Sequence, residues 1–129
     1  MKTVLVVDDD VAVVELLRAN LEMAGHRVAV AYDGVEALAQ IQAERPDLVI
    51  LDIQMPRLSG WDVLRELRRH AETETLPVIM LTIFGDRESI TRGWREGVDC
   101  YIPKPFKVEE VMAMVARLLE VSEESPFRS

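Results

Sequence analysis

PDLVILDIQMPRLSG, Pro46 to Gly60, is the stretch whose reading decides the fold. Leu48-Val49-Ile50-Leu51 is an unbroken run of branched apolar side chains, the pattern of a strand buried on both faces, as in a parallel sheet. Asp52 follows at once, and Met55-Pro56 and Ser59-Gly60 then interrupt regular structure. A carboxylate at the carboxyl end of a buried strand stands where open α/β sheets place their ligand chemistry. Alone, Asp52 reads first as a strand-end residue capping the next turn.

Outward from this stretch, the same pattern repeats. Val4-Leu5-Val6-Val7 is a second apolar run, closed by Asp8-Asp9-Asp10. Val13, Val14, Leu16, Leu17, Leu21 and Met23 recur at helical spacing up to Gly25, with Asp10 placed as the N-cap. Val28 to Ala31 is a short strand, and Gly34 opens a helix carrying Val35, Leu38 and Ile41 that stops before Pro46. Beyond the central stretch, a helix from Trp61 carries Val63, Leu64 and Leu67, with a basic face over Arg65–Arg69. Val78 to Leu81 is a fourth strand opened by Pro77, where proline is tolerated. A weaker helix spans about Arg87 to Arg95, stopped by Gly97. Tyr101-Ile102 ends a fifth strand before Pro103-Lys104-Pro105. The last helix carries Val108, Val111, Met112, Val115, Leu118 and Leu119, with Met112 and Met114 read as core, and a polar tail is expected from Ser122. Five alternations of strand and helix with short connections predict an α/β fold, a five-stranded parallel sheet flanked by helices on both faces.

The chain of 129 residues has the length of one domain with a real core. Its net charge of −8, 15 basic against 23 acidic residues, argues against gripping a phosphate backbone directly. The lone Cys100 excludes an internal disulfide and reads as a small core residue. Asp8-Asp9-Asp10 interrupts any secretory apolar region, and no run approaches transmembrane length, so a cytoplasmic setting with no membrane contact is expected.

Four of the five strands end in a residue with chemistry to offer: Asp8-Asp9, Asp52, Thr82 and Lys104. In a parallel sheet these ends share one edge. Carboxylates crowded there repel, by about 4 kcal/mol for two unit charges 4 Å apart at an effective dielectric of 20. Lys104 offsets only part of that, so a divalent cation is the complement, and an oxygen-only donor set describes Mg²⁺ rather than zinc. Neither His26 nor His70 falls at this edge. Asp52 is the candidate nucleophile, able to become an acyl phosphate, with Thr82 offering a hydroxyl and Lys104 a cation to the phosphoryl group.

Val6-Val7-Asp8-Asp9-Asp10, Leu51-Asp52 with Met55-Pro56 and Gly60, Leu81-Thr82, and Tyr101-Ile102-Pro103-Lys104-Pro105-Phe106 resemble the receiver domain of two-component response regulators, in order and at the family's spacing, from about Lys2 to Val121. The resemblance implies a doubly wound, flavodoxin-like (βα)5 sheet, with 1–121 as the receiver and 122–129 as a polar tail or the start of a linker. It implies Asp52 as phosphoacceptor for a histidine kinase or phosphotransfer protein. It also implies Mg²⁺, with Mn²⁺ as substitute, held by Asp8, Asp9, Asp52 and the backbone carbonyl of Gln54. Thr82 and Tyr101 become the switch pair, Lys104 the active-site cation, and the face of the fourth helix, fifth strand and fifth helix the surface that changes. The implied partners are that kinase, a downstream effector domain or protein, and a phosphorylation-dependent homodimer.

Some positions depart from the family pattern. Ile83 follows Thr82 where a small residue is usual and is expected to crowd the phosphoryl pocket. Gln54 and Phe84 occupy positions that tune dephosphorylation, and Trp94 stands where a small residue is common. Met114 replaces the arginine typical of winged-helix regulators, which weakens the expectation of their salt-bridged dimer. Two other readings compete with the switch. One is a receiver-like interaction module that never takes phosphate. The other is an aspartyl-phosphate hydrolase, which wants an acid two residues after Asp52, where Gln54 stands.

Overall fold

The computed structural model describes residues 2–83, 91 and 97–124. The apolar runs become β1 (Thr3–Val7), β2 (Arg27–Ala31), β3 (Leu48–Asp52), β4 (Val78–Thr82) and β5 (Cys100–Pro103). All pair in parallel, in the order β2-β1-β3-β4-β5. That order is the doubly wound one, and it reverses between β1 and β3, where such sheets bind their ligands.

The runs carry no polar alternation because both faces are covered. Val4, Val6, Leu48, Ile50, Ile79 and Leu81 pack on one side with Val14, Leu17 and Leu21 of α1 (Val11–Met23). Val111, Val115 and Leu119 of the C-terminal helix α4 (Val108–Glu124) join them there. Leu5, Val7, Val49, Leu51, Val78 and Met80 pack on the other with Ala37 and Ile41 of α2 (Gly34–Ala43). Trp61, Val63, Leu64 and Leu67 of α3 (Gly60–Arg69) complete that layer. Each fully buried Val, Leu or Ile contributes about 1.5–3 kcal/mol from the apolar surface it removes from water.

The helix starts are fixed by side chains. Asp10 accepts from the Ala12 and Val13 N–H groups, as its place in the sequence predicts. Asp33 caps α2 through the Glu36 N–H. Ser59 and Asp62 form a reciprocal capping box on α3, with distances of 3.2 and 3.1 Å.

Several expectations need correction. The buried stripe of α1 is narrower than its apolar repeat: Leu16 is exposed and Met23 is 88% exposed. Val35 is likewise exposed, and Gly34, Ala37 and Ile41 form the buried face of α2. The basic face of α3 divides. Arg65 and Arg69 pair with Asp62 and Glu66, whereas Arg68 folds back across the sheet end. α4 continues through Ser122 to Glu124, past the expected start of the tail. The expected helix at Arg87–Arg95, with Phe84 and Trp94, lies outside the described residues apart from Thr91, as do the last five residues of the tail. Met112 and Met114 pack against the α1 side of the core, as expected. His70 is exposed beside Glu66 at 2.9 Å, and His26 is half-buried.

Candidate functional site

Register alone brings the site together. Val7 pairs with Leu51, so Asp8 and Asp52 follow at the same level on neighbouring strands. Asp52 pairs with Leu81, and Thr82 with Pro103, which places Thr82 one step and Lys104 two steps farther along the same edge. Asp8, Asp9 and Asp52 each present a carboxylate oxygen, all within 4.8 Å of one another.

Asp8 is fully buried and both its oxygens are engaged. One accepts from the Asp10 N–H at 2.9 Å, and the other from the Lys104 ammonium at 2.8 Å. The same ammonium stands 3.4 Å from Asp52 Oδ1. The Lys104 N–H donates to the Thr82 carbonyl at 2.6 Å, tying the loop after β5 to the end of β4. Asp9 is exposed and Thr82 is buried. Gln54 lies two residues beyond Asp52 with its side chain in solvent. Ile83 is 58% exposed, so its side chain stands open to solvent and is not packed into the core.

Asp52, 6% exposed, has its carboxyl pushed up to about 6, first by burial and then by the charge of Asp8, against the pull of Lys104. Burial also works against the charged form of Lys104. Its hydrogen bond to Asp8 and the charges of Asp52 and Asp8 outweigh that, and its net displacement is upward. The corner is thus over-supplied with negative charge after one ammonium has been spent on it. Three carboxylates within such reach, with no histidine or cysteine grouped with them among the described residues, fit a small hard cation of the Mg²⁺ type.

Tyr101, the expected partner of Thr82, stands on β5 opposite Met80 and packs on Trp61, with ring centroids 6.2 Å apart and planes inclined at 52°. The alternation of β4 puts Thr82 on the same side of the sheet as Met80, the side that holds Tyr101 and Trp61. The sequence marks Trp61 only as the start of a helix, because the pairing is set by the β3–β4–β5 register. Gly60 is required where it stands, because a Cβ there would collide with the Asp52 carbonyl oxygen and lie 2.9 Å from the Ile53 Cα. Cys100 is half-buried, and burial raises its thiol, in keeping with a core role.

Comparison with known proteins agrees with this fold. The family described as Response regulator receiver domain matches residues 4–116. Among curated relatives, the DNA-binding dual master transcriptional regulator RpaA of Synechocystis sp. is 40% identical over 98% of this chain and 52% of its own length. Response regulator MprA of Mycobacterium ulcerans is 46% identical over 90% of this chain and 49% of its own. The signal receiver domain of a signal transduction histidine kinase from Syntrophus aciditrophicus superimposes with a TM-score of 0.90 at 32% identity, covering 100% of this chain and 98% of that one.

The chain belongs to the response regulator receiver domain family, a class of regulatory signalling domains rather than turnover enzymes. Receiver domains bind Mg²⁺ through acidic residues, and response regulators work with histidine kinases and effector domains. The chain spans about half the length of the curated relatives it matches. Among the described residues, no helix is long and apolar enough to cross a membrane.

Proposed function

We propose that this chain is the phosphoacceptor switch of a two-component phosphorelay, taking a phosphoryl group from the phosphohistidine of a histidine kinase or phosphotransfer protein onto Asp52. The observation that carries the reading is the placement of Asp52. It is nearly buried, displaced toward neutrality, and set within reach of Asp8, Asp9 and Lys104. An ionised Asp52 oxygen bonds to phosphorus as the phosphorus–nitrogen bond breaks, and the electron pair leaves with the imidazole. Lys104 is positioned to neutralise charge on the phosphoryl oxygens, and the Thr82 hydroxyl to donate to one of them. Asp8, Asp9, Asp52 and the Gln54 carbonyl would hold Mg²⁺, or Mn²⁺ in its place, which when bound supplies further positive charge to the same oxygens.

The phosphoryl group adds charge to a corner already crowded, and Thr82 with Tyr101 carries the change to β5 and α4, the described part of the face expected to change. Residues 1–121 then act as the receiver, and 122–129 carry α4 to its end and on into a polar tail or the start of a linker. An effector domain or protein, DNA-binding as in RpaA, would read the altered face, as would a second copy of the chain. The acidic balance of this chain leaves nucleic acid to that effector, and the kinase partner implies the cytoplasm.

Incubation with acetyl phosphate and Mg²⁺ tests the reading. One acid-stable, base-labile phosphoryl group is expected on the wild type and none on Asp52→Asn. Absence of incorporation would leave a phosphate-independent interaction module, and multiple turnover of phosphate esters would make the protein a hydrolase.

A further inference from the structure

Two segments that meet at the charged corner also meet at a second place. Asp52 and Lys104 join the end of β3 to the loop after β5. Nine residues beyond Asp52, Trp61 reaches back to Tyr101, three residues before Lys104. The backbone of Trp61 is tightly referenced to the phosphoacceptor. Gly60 rests against the Asp52 carbonyl without room for a Cβ, its N–H donates to the Ile53 carbonyl at 2.8 Å, and the Ser59–Asp62 capping box fixes the first turn of α3. Trp61 is only 7% exposed and packs within the α2–α3 side of the core. Tyr101 is half-buried at the margin of that layer, on an edge strand of four residues. One ring is therefore enclosed by the core and the other sits at its margin.

We infer that Trp61 is the positioning residue for Tyr101: the aromatic pair sets where the switch tyrosine rests, and its strength is part of the equilibrium that phosphorylation must shift. The inference rests on the phosphoacceptor reading and adds to it a residue on α3, outside the charged corner. An offset aromatic pair supplies enough interaction that losing it changes a two-state ratio by about three- to tenfold. A tilt of 52° at 6.2 Å lies within the geometry that such pairs favour. Because Trp61 cannot follow Tyr101 without disturbing Gly60 and Asp52, any new place taken by Tyr101 alters the pair.

The test is a double-mutant cycle on the full chain, read by calorimetric titration with beryllofluoride in saturating Mg²⁺. Trp61→Leu and Tyr101→Ala are each expected to change the apparent affinity by about three- to tenfold. The double variant should change it no more than the larger single, and Tyr101→Phe should retain the coupling because the ring carries it. In a Trp94→Phe background, Trp61 is the sole tryptophan, and its emission should respond to beryllofluoride in the parent but not with Tyr101→Ala. That measurement also stands if Trp61→Leu fails to fold. Additive changes, or a Trp61 emission indifferent to Tyr101→Ala, would overturn the inference while leaving the phosphoacceptor reading intact. A parent that binds no beryllofluoride would overturn both.

Discussion

The Lys104 ammonium donates to Asp8 at 2.8 Å across 96 residues of sequence, and so holds the end of the fifth strand against the end of the first. This contact does two opposing things. It satisfies a fully buried carboxylate, and it occupies with positive charge the corner that a divalent cation would share.

Lys104→Ala should therefore separate ion binding from chemistry. Removing a unit positive charge beside three carboxylates is expected to tighten Mg²⁺ binding at least about fivefold. Phosphoryl transfer from acetyl phosphate should fall steeply, since the cation proposed to face the phosphoryl oxygens is gone. Calorimetric Mg²⁺ titration and the rate of phosphoryl incorporation measure the two arms.

Asp52 makes stability depend on pH in an unusual direction for a carboxylate. Its folded value of about 6 lies above the ordinary 3.8, so the folded protein binds this proton more tightly than the unfolded chain does. The resulting stabilisation is complete below 3.8 and is lost as pH rises through about 6. At about 1.4 kcal/mol per pH unit between the two values, ionised Asp52 costs about 3 kcal/mol at neutral pH without a cation. Asp52→Asn should raise the denaturation midpoint at pH 7.5, and the gain should vanish at pH 3.5. Millimolar Mg²⁺ should narrow the gap by stabilising the wild type, as measured by urea unfolding.

Gly60→Ala puts a methyl group into the Asp52 carbonyl, a rigid backbone neighbour that cannot rotate away. A loss of about 2–3 kcal/mol is expected. Because the displaced atoms belong to Asp52 and Ile53, Mg²⁺ affinity should drop in the fraction that remains folded. Thermal melts with and without the ion read both effects.

Arg68 stabilises the opposite end of the sheet. Its guanidinium donates to the carbonyls of Thr73, Leu76 and Gly97 and to Asp99, and Asp99 in turn accepts from the Val78 N–H at 2.8 Å. Burial pulls its titration down and Asp99 holds it up. Arg68→Met should cost about 2–3 kcal/mol by stranding these carbonyls. Phosphoryl uptake at temperatures below the melt should be unchanged, since Arg68 touches none of the reacting groups.

The chain's own pattern made the sheet legible because burial on both faces leaves a mark on every residue of a strand, and Val4–Val7, Leu48–Leu51 and Val78–Leu81 carry it without a break. The charged corner was legible for the same reason: once strands run parallel, the residues that end them must gather. Edges of helices were less so. Leu16, Met23 and Val35 fit an apolar repeat yet face solvent, since spacing does not say how wide a stripe the sheet covers. Arg68 was indistinguishable from Arg65 and Arg69, because its role depends on carbonyls that belong to distant turns. The Trp61–Tyr101 pair was hidden likewise, being set by strand order and not by any local motif.

β3 lies between two neighbours and under two helical layers, with every residue from Leu48 to Asp52 out of solvent, whereas β5 has one neighbour and only four residues. On the proposed reading, the carboxyl that takes the phosphoryl group is braced on every side and the ring that relays it stands at the rim, so the rim can shift without unseating the receiver.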